Sequence, residues 1–136
     1  MNEPESIVLV VDDDDSFRRG LERLLHSVSL GVETFSSAQE FMHRPPPDGP
    51  ACLILDMRMP GMSGLEVQQG LVAGGHSLPI IFLTGHATVP MSVRALKTGA
   101  IDFLQKPVED QLLLDTIHQA LGQDRRAKAQ QAEHTR

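Results

Sequence analysis

The chain has 136 residues and a formal net charge of −6, which predicts one domain with a sizeable core. The acidic charge and the lack of tryptophan and tyrosine argue against nucleic-acid binding by this segment itself. No apolar run approaches the ~20 residues of a membrane span, and the acidic start lacks a signal peptide's basic region. The single cysteine, Cys52, cannot form an internal disulfide, so we expect a cytoplasmic protein without membrane attachment.

Apolar runs and amphipathic segments alternate along the whole chain. The apolar runs predict buried strands over residues 7–11, 32–35, 52–55, 79–84 and 101–105. The amphipathic segments predict helices over residues 16–28, 37–43, 64–73, 88–98 and 109–121. Five strands alternating with five helices predict an α/β fold, in which a doubly wound parallel sheet is covered on both faces.

Several element boundaries have a specific chemical signal. Asp14 or Asp15 can cap the first helix, Ser63 the third and Thr88 the fourth. In the fourth helix, Val89, Val93 and Leu96 form an apolar stripe. From residue 123 the composition is polar, and we expect a linker or tail in preference to a continued last helix.

The third predicted strand ends in a single carboxylate, Asp56. This strand lies between Gly-Pro and Pro-Gly pairs, in a segment that reads CLILDMRMPGMSG at 52–64. Open α/β sheets bind ligands at the carboxyl ends of their strands, so Asp56 is a candidate reactive group. Taken alone, the segment leaves a solvated loop aspartate equally open.

Other strand ends carry polar groups suited to the same site. Asp12 and Asp13 follow the first strand, Thr84 ends the fourth and Lys106 follows the fifth. Three close carboxylates repel one another unless a cation neutralises them, and oxygen ligands favour Mg²⁺. A metal ion and a lysine beside a carboxylate are what phosphoryl transfer to Asp56 requires, with the Thr84 hydroxyl available to a phosphoryl oxygen.

Four motifs resemble the receiver domain of two-component response regulators. They are VVDDD at 10–14, LDMRMPGMSG at 55–64, FLTGH at 82–86 and DFLQKP at 102–107. The resemblance extends over residues 7–121 and is greatest to the FixJ-like subgroup, whose members usually carry a C-terminal helix-turn-helix domain. It implies a flavodoxin-like receiver fold with strand order 2-1-3-4-5 and a receiver domain over residues 1–122.

The resemblance also implies roles for individual residues. Asp56 would accept a phosphoryl group from a sensor histidine kinase, and Thr84 and Lys106 would contact its oxygens. Mg²⁺ would be held by Asp12, Asp13, Asp56 and the backbone carbonyl of Arg58. The resemblance implies that Thr84 and Phe103 form a switch pair and that the peptide between Lys106 and Pro107 is cis. It also implies a phosphorylation-dependent dimer surface. Candidate contacts on that surface are Val93, Lys97 and Ile101.

Three features distinguish this chain from the general receiver pattern or bear on its alternatives. Phe103 stands where many receivers have tyrosine, so its switching would act through packing alone. Arg58 stands where a haloacid-dehalogenase-type phosphatase needs a second aspartate as general acid, which argues against turnover of external substrates. Arg58 and His86 also flank the expected site, and we expect them to tune the lifetime of the acyl phosphate.

Two hypotheses describe how this chain passes a signal on. The basic, helix-compatible segment 123–136 is typical of an interdomain linker, which favours a fragment of a longer transcriptional regulator that contacts DNA through a C-terminal domain. The alternative is a stand-alone receiver that acts as a phosphorelay or interaction switch. A pseudo-receiver that only binds partners is disfavoured, because all five reactive positions are retained.

Overall fold

The computed structural model describes residues 5–134, with side chains described through residue 131. Five parallel strands form one sheet in the order β2-β1-β3-β4-β5. In chain order they are β1 Ile7–Val11, β2 Gly31–Phe35, β3 Ala51–Leu55, β4 Ile80–Thr84 and β5 Asp102–Gln105. The doubly wound architecture and strand order expected from the sequence are confirmed.

Five helices cover the two faces of this sheet. In chain order they are α1 Asp15–Ser27, α2 Ala38–Met42, α3 Gly64–Ala73, α4 Val89–Lys97 and α5 Asp110–His134. Asp14 caps α1 by accepting the Phe17 backbone N–H, and Thr88 caps α4 in the same way. Ser63 and Glu66 form a reciprocal capping box at the start of α3. These local signals were sufficient to place the helix starts.

The sheet separates two hydrophobic clusters, and β3 contributes to both. Cys52 and Ile54 point into the cluster that includes α1 and α5, whereas Leu53 and Leu55 point into the cluster that includes α2, α3 and α4. All five residues of β3 are buried, as the continuous apolar run predicted. Burial raises the pKa of the Cys52 thiol to about 12, which leaves it a protonated core residue.

The apolar stripe of α4 does not face the core. Val89, Val93 and Leu96 are 76%, 42% and 46% exposed, and the buried residue of the helix is Ala95. The short strand β5, at the edge of the sheet, offers little apolar surface to cover. Because a small side chain at the contact lets α4 approach closely, the larger residues of the stripe are left outside the core.

Helix α5 continues well beyond residue 122, where composition favoured a linker or tail. The Asp124 side chain is buried and accepts the Ala51 backbone N–H at 2.8 Å. Lys128 bonds Asp124 at 2.9 Å and donates to the carbonyls of Pro47 and Gly49. The helix therefore packs here through polar contacts, which an apolar stripe could not reveal. Residues 135–136 lie outside the described residues, and a following domain stays a prediction.

Candidate functional site

Three carboxylates meet at the carboxyl edge of the sheet. One oxygen from each of Asp12, Asp13 and Asp56 lies within 4.8 Å of the other two. Asp12 follows β1 and Asp56 follows β3, and these two strands are direct neighbours. The backbone N–H of Asp56 also bonds the carbonyl of Val11 at 3.1 Å, which carries the pairing one residue past the strand ends. The sheet register therefore brings these three side chains together.

Lys106 directly follows the edge strand β5, and its side chain reaches the same cluster. Its ammonium nitrogen lies 2.7 Å from Asp12 Oδ2 and 4.0 Å from Asp56 Oδ2. The Lys106 backbone N–H bonds the Thr84 carbonyl at 2.9 Å, and the Lys106–Pro107 peptide bond is cis. The lysine thus offers a positive charge between two of the acidic groups.

Asp12 and Asp56 are both almost fully buried, whereas Asp13 is exposed. Burial raises the pKa of the Asp12 carboxyl, and the hydrogen bonds from Lys106 and from the Asp14 backbone only partly oppose that effect. A carboxylate that is costly to ionise in place is stabilised by a bound cation. Three oxygen donors this close, with one side open to water, fit Mg²⁺.

Thr84 and Phe103 lie on the adjacent strands β4 and β5. The Thr84 side chain is buried, and its hydroxyl oxygen accepts the His86 backbone N–H at 3.2 Å. The Phe103 ring is partly buried, with its centroid 5.9 Å from that of Phe82. The Thr84 hydroxyl therefore belongs to β4, and the Phe103 ring belongs to its neighbour β5 at the edge of the sheet.

Arg58 and His86 border the site on exposed loop positions. The Arg58 backbone N–H donates a hydrogen bond to Asp56 Oδ1, with a nitrogen–oxygen distance of 3.4 Å. The charged side chain of Arg58 occupies the position that a phosphatase of the haloacid dehalogenase type needs for its second aspartate.

The candidate dimer residues lie apart from the carboxylates. Val93 and Lys97 are exposed on α4, whereas Ile101 is half-buried just before β5. The Ile101 backbone N–H bonds the Ile80 carbonyl at 2.8 Å, so this residue belongs to the sheet edge. Ile101 packs against the hydrophobic cluster that includes α1 and α5, whereas α4 packs on the other face of the sheet with α2 and α3.

Sequence reasoning missed three residues that shape the site. Phe17 lies in the helix predicted over residues 16–28, and its ring centroid lies 3.9 Å from the Lys106 ammonium. Gly64 lies directly against the backbone of Asp56. Gln68 on α3 is buried and donates to the Ala95 carbonyl of α4 at 2.9 Å. The contacts of Phe17 and Gln68 join segments far apart in the chain, so no local pattern could have indicated them.

Residues 8–118 match the response regulator receiver domain family, and the chain belongs to that family. It is 49% identical over 127 residues to nodulation protein W of Bradyrhizobium diazoefficiens, a match covering 93% of this chain and 56% of that protein. It is 43% identical over 120 residues to the transcriptional regulatory protein FixJ of Azorhizobium caulinodans, covering 88% and 57%.

A solved structure of the response regulator StyR superposes with a TM-score of 0.85 at 50% identity, covering 96% of this chain and 65% of that one. The resemblance to receivers of the FixJ-like subgroup is confirmed. The chain spans about half the length of the curated relatives it matches. Within residues 5–134, every helix is too short or too polar to cross a membrane.

Proposed function

We propose that this receiver domain accepts a phosphoryl group on Asp56 from a sensor histidine kinase in the cytoplasm, with Mg²⁺ as cofactor. The observation that carries the proposal is the convergence of Asp12, Asp13 and Lys106 on the Asp56 carboxylate. A solvated loop aspartate needs none of these neighbours. The nearly complete burial of Asp56 and its approach to a lysine are typical of a reactive carboxylate.

The transfer itself needs little covalent chemistry from the protein. An Asp56 oxygen attacks the phosphorus, the bond from phosphorus to the histidine nitrogen of the kinase breaks, and an acyl phosphate forms. Asp12, Asp13, Asp56 and the Arg58 carbonyl would hold Mg²⁺, which supplies charge neutralisation at the phosphoryl oxygens. Lys106 places a second positive charge on the same group. The chain then acts as a phosphate carrier with self-catalysed hydrolysis rather than as a turnover enzyme.

The phosphorylated state would be read through Thr84 and Phe103. When the Thr84 hydroxyl turns to a phosphoryl oxygen, it leaves the His86 N–H and frees space next to Phe103. The phenyl ring then packs inward and changes the surface formed by α4 and β5. The exposed Val93 and Leu96 on that surface support an output through association.

We propose that the output is a phosphorylation-dependent homodimer that controls transcription through a C-terminal DNA-binding domain outside this sequence. The match to FixJ, whose name describes a transcriptional regulatory protein about twice as long as the aligned segment, supports this reading. A stand-alone receiver is the second candidate. Arg58 and His86, at the open border of the site, would set how fast water reaches the acyl phosphate.

The test is incubation with Mg²⁺ and a small phosphodonor, followed by intact-protein mass spectrometry. We expect one added phosphoryl group in the wild-type protein and none in Asp56→Asn. Asp13→Ala should lose the dependence on Mg²⁺ while keeping its fold. An adduct that persists in Asp56→Asn would refute the assignment.

Following adduct decay in Arg58→Ala and His86→Ala tests the proposed control of lifetime, since decay should change more than formation.

A further inference from the structure

The Lys106 ammonium has an aromatic neighbour that the chemistry of the site does not require. Its nitrogen lies 3.9 Å from the centroid of the Phe17 ring, on the side provided by α1. The same nitrogen lies 2.7 Å from Asp12 Oδ2 and 4.0 Å from Asp56 Oδ2. The ammonium is therefore bounded by two carboxylates and one ring face, and its side chain is 21% exposed.

Phe17 lies in the first turn of α1, and its ring packs against the core. The Phe17 backbone N–H donates to Asp14 Oδ1 at 3.1 Å, which closes the first turn of the helix. The side chain is half-buried and packs against the hydrophobic cluster between the sheet and the helices α1 and α5. A ring fixed in this way can hold a lysine in place rather than follow its movements.

The two kinds of contact restrain the lysine differently. A hydrogen bond to Asp12 fixes the direction of one N–H group and draws the ammonium away from Asp56. The ring face attracts the positive charge through its quadrupole without requiring any N–H direction, and this attraction strengthens as water is excluded. With the ring as support, Lys106 can exchange Asp12 for a new acceptor without leaving the site.

We propose that Phe17 is a positioning residue, which holds the Lys106 ammonium by a cation–π contact within reach of the group carried by Asp56. The inference rests on the proposed function for the identity of that group. The contact itself is independent of it, because it exists in the free protein. A purely structural Phe17 would serve the core equally well with any apolar side chain of similar size.

The spectroscopic test uses the free protein without metal or phosphodonor. The ε-methylene group of Lys106 is bonded to the nitrogen that lies over the ring, so its protons should be shifted upfield by the ring current. Phe17→Met keeps an apolar side chain but removes the ring, so the shift should disappear. Phe17→Tyr keeps the ring face and should keep the shift, while the signals of Lys97 and Lys128 stay unchanged in both variants. An unshifted Lys106 signal in the wild-type protein would overturn the contact.

The functional test compares phosphorylation rates at saturating Mg²⁺ with a small phosphodonor. We expect Phe17→Met to be phosphorylated about five- to tenfold more slowly than wild type, and Phe17→Tyr to remain within about twofold. The affinity for trifluoroberyllate, a non-covalent phosphoryl mimic, should fall in the same order. Phe41→Met, which removes a buried ring on α2, controls for a general loss of stability and should keep the wild-type rate.

The outcomes separate this inference from the proposed function. A wild-type protein that forms no adduct refutes the proposed function, whatever the spectra show. A wild-type protein that is phosphorylated normally, together with an equally fast Phe17→Met, refutes the positioning role alone. Equal losses in Phe17→Met and Phe17→Tyr, or a loss in Phe41→Met as large as that in Phe17→Met, would assign the effect to packing and also reject the inference.

Discussion

At the scale of single residues, the position of Asp56 depends on the absence of a side chain at Gly64. A Cβ on Gly64 would lie 2.4 Å from the Asp56 carbonyl oxygen and 3.0 Å from the Met57 Cα. The Gly64 backbone N–H bonds the Met57 carbonyl at 3.0 Å, which fixes this close approach. Helix α3 thus begins directly against the backbone that carries the candidate phosphoacceptor.

Gly64→Ala should therefore disturb both the fold and the site. Because the clash is with backbone atoms, α3 or the segment after β3 must move, at a cost of about 1–3 kcal/mol in the free energy of unfolding. Denaturant unfolding measures this cost, and the phosphorylation rate should fall as well. Gly70→Ala, on the same helix, is the matched control. Its Cβ meets only the end of Met42 at 3.9 Å, so it should gain roughly 0.5–1 kcal/mol of stability. Equal effects of the two substitutions would contradict this role of Gly64.

At the scale of secondary structure, the extension of α5 is tied to the start of β3. Asp124 accepts the Ala51 backbone N–H, and Lys128 neutralises Asp124 while bonding carbonyls in the loop before β3. The opposite end of β3 leads into Asp56. The helix segment beyond residue 122 therefore belongs to the packed domain and is joined to the strand that carries the candidate phosphoacceptor.

Asp124→Ala should destabilise the domain although it lies outside the predicted receiver boundary. The substitution leaves the buried Ala51 N–H and the Lys128 ammonium without this acceptor, which costs about 2–4 kcal/mol. Asp115→Ala removes an exposed carboxylate from the same helix and should change stability by roughly 0.5 kcal/mol or less. Thermal unfolding of the two variants and the wild type makes the comparison. A wild-type melting temperature for Asp124→Ala would show that the extension does not contribute to the fold.

At the scale of the whole molecule, the exposed apolar residues of α4 form the natural surface for the proposed dimer. Val89, Val93 and Leu96 lie outside the core on α4, the helix that packs beside β5. Gln68 ties the last turn of this helix to α3 by donating to the Ala95 carbonyl. Helix α4 is thus connected through α3 to the Asp56 backbone, while its outer face remains open to a partner.

Val93→Asp should block phosphorylation-dependent dimerisation without preventing phosphorylation. A charge in an apolar contact is costly, whereas the same charge on the free surface is not. Val72→Asp is the matched control, because Val72 is also exposed but belongs to α3 rather than to α4. Light scattering with and without phosphodonor measures the oligomeric state. Loss of dimerisation in both variants, or in neither, would contradict the proposed surface.

The sequence alone determined the alternation of strands and helices, the helix starts at Asp14 or Asp15, at Ser63 and at Thr88, and the family of the chain. These features depend on local periodicity, capping chemistry and short motifs, all of which involve residues close together in the sequence. The proximity of Asp12, Asp13, Asp56 and Lys106 followed as well, because parallel strands place their carboxyl ends at one edge and each of these residues directly follows a strand.

Only the tertiary structure decided which face of α4 is buried, how far α5 belongs to the domain and what surrounds Lys106. An apolar stripe on a helix indicates its buried face only when the sheet offers apolar surface for that stripe to cover. The short edge strand β5 offers little such surface. The α5 extension packs through Asp124 and Lys128, so hydrophobic periodicity gave no sign of it. The ring of Phe17 and the ammonium of Lys106 are separated by most of the chain, and their contact exists only because the sheet brings the ends of β1 and β5 to the same edge.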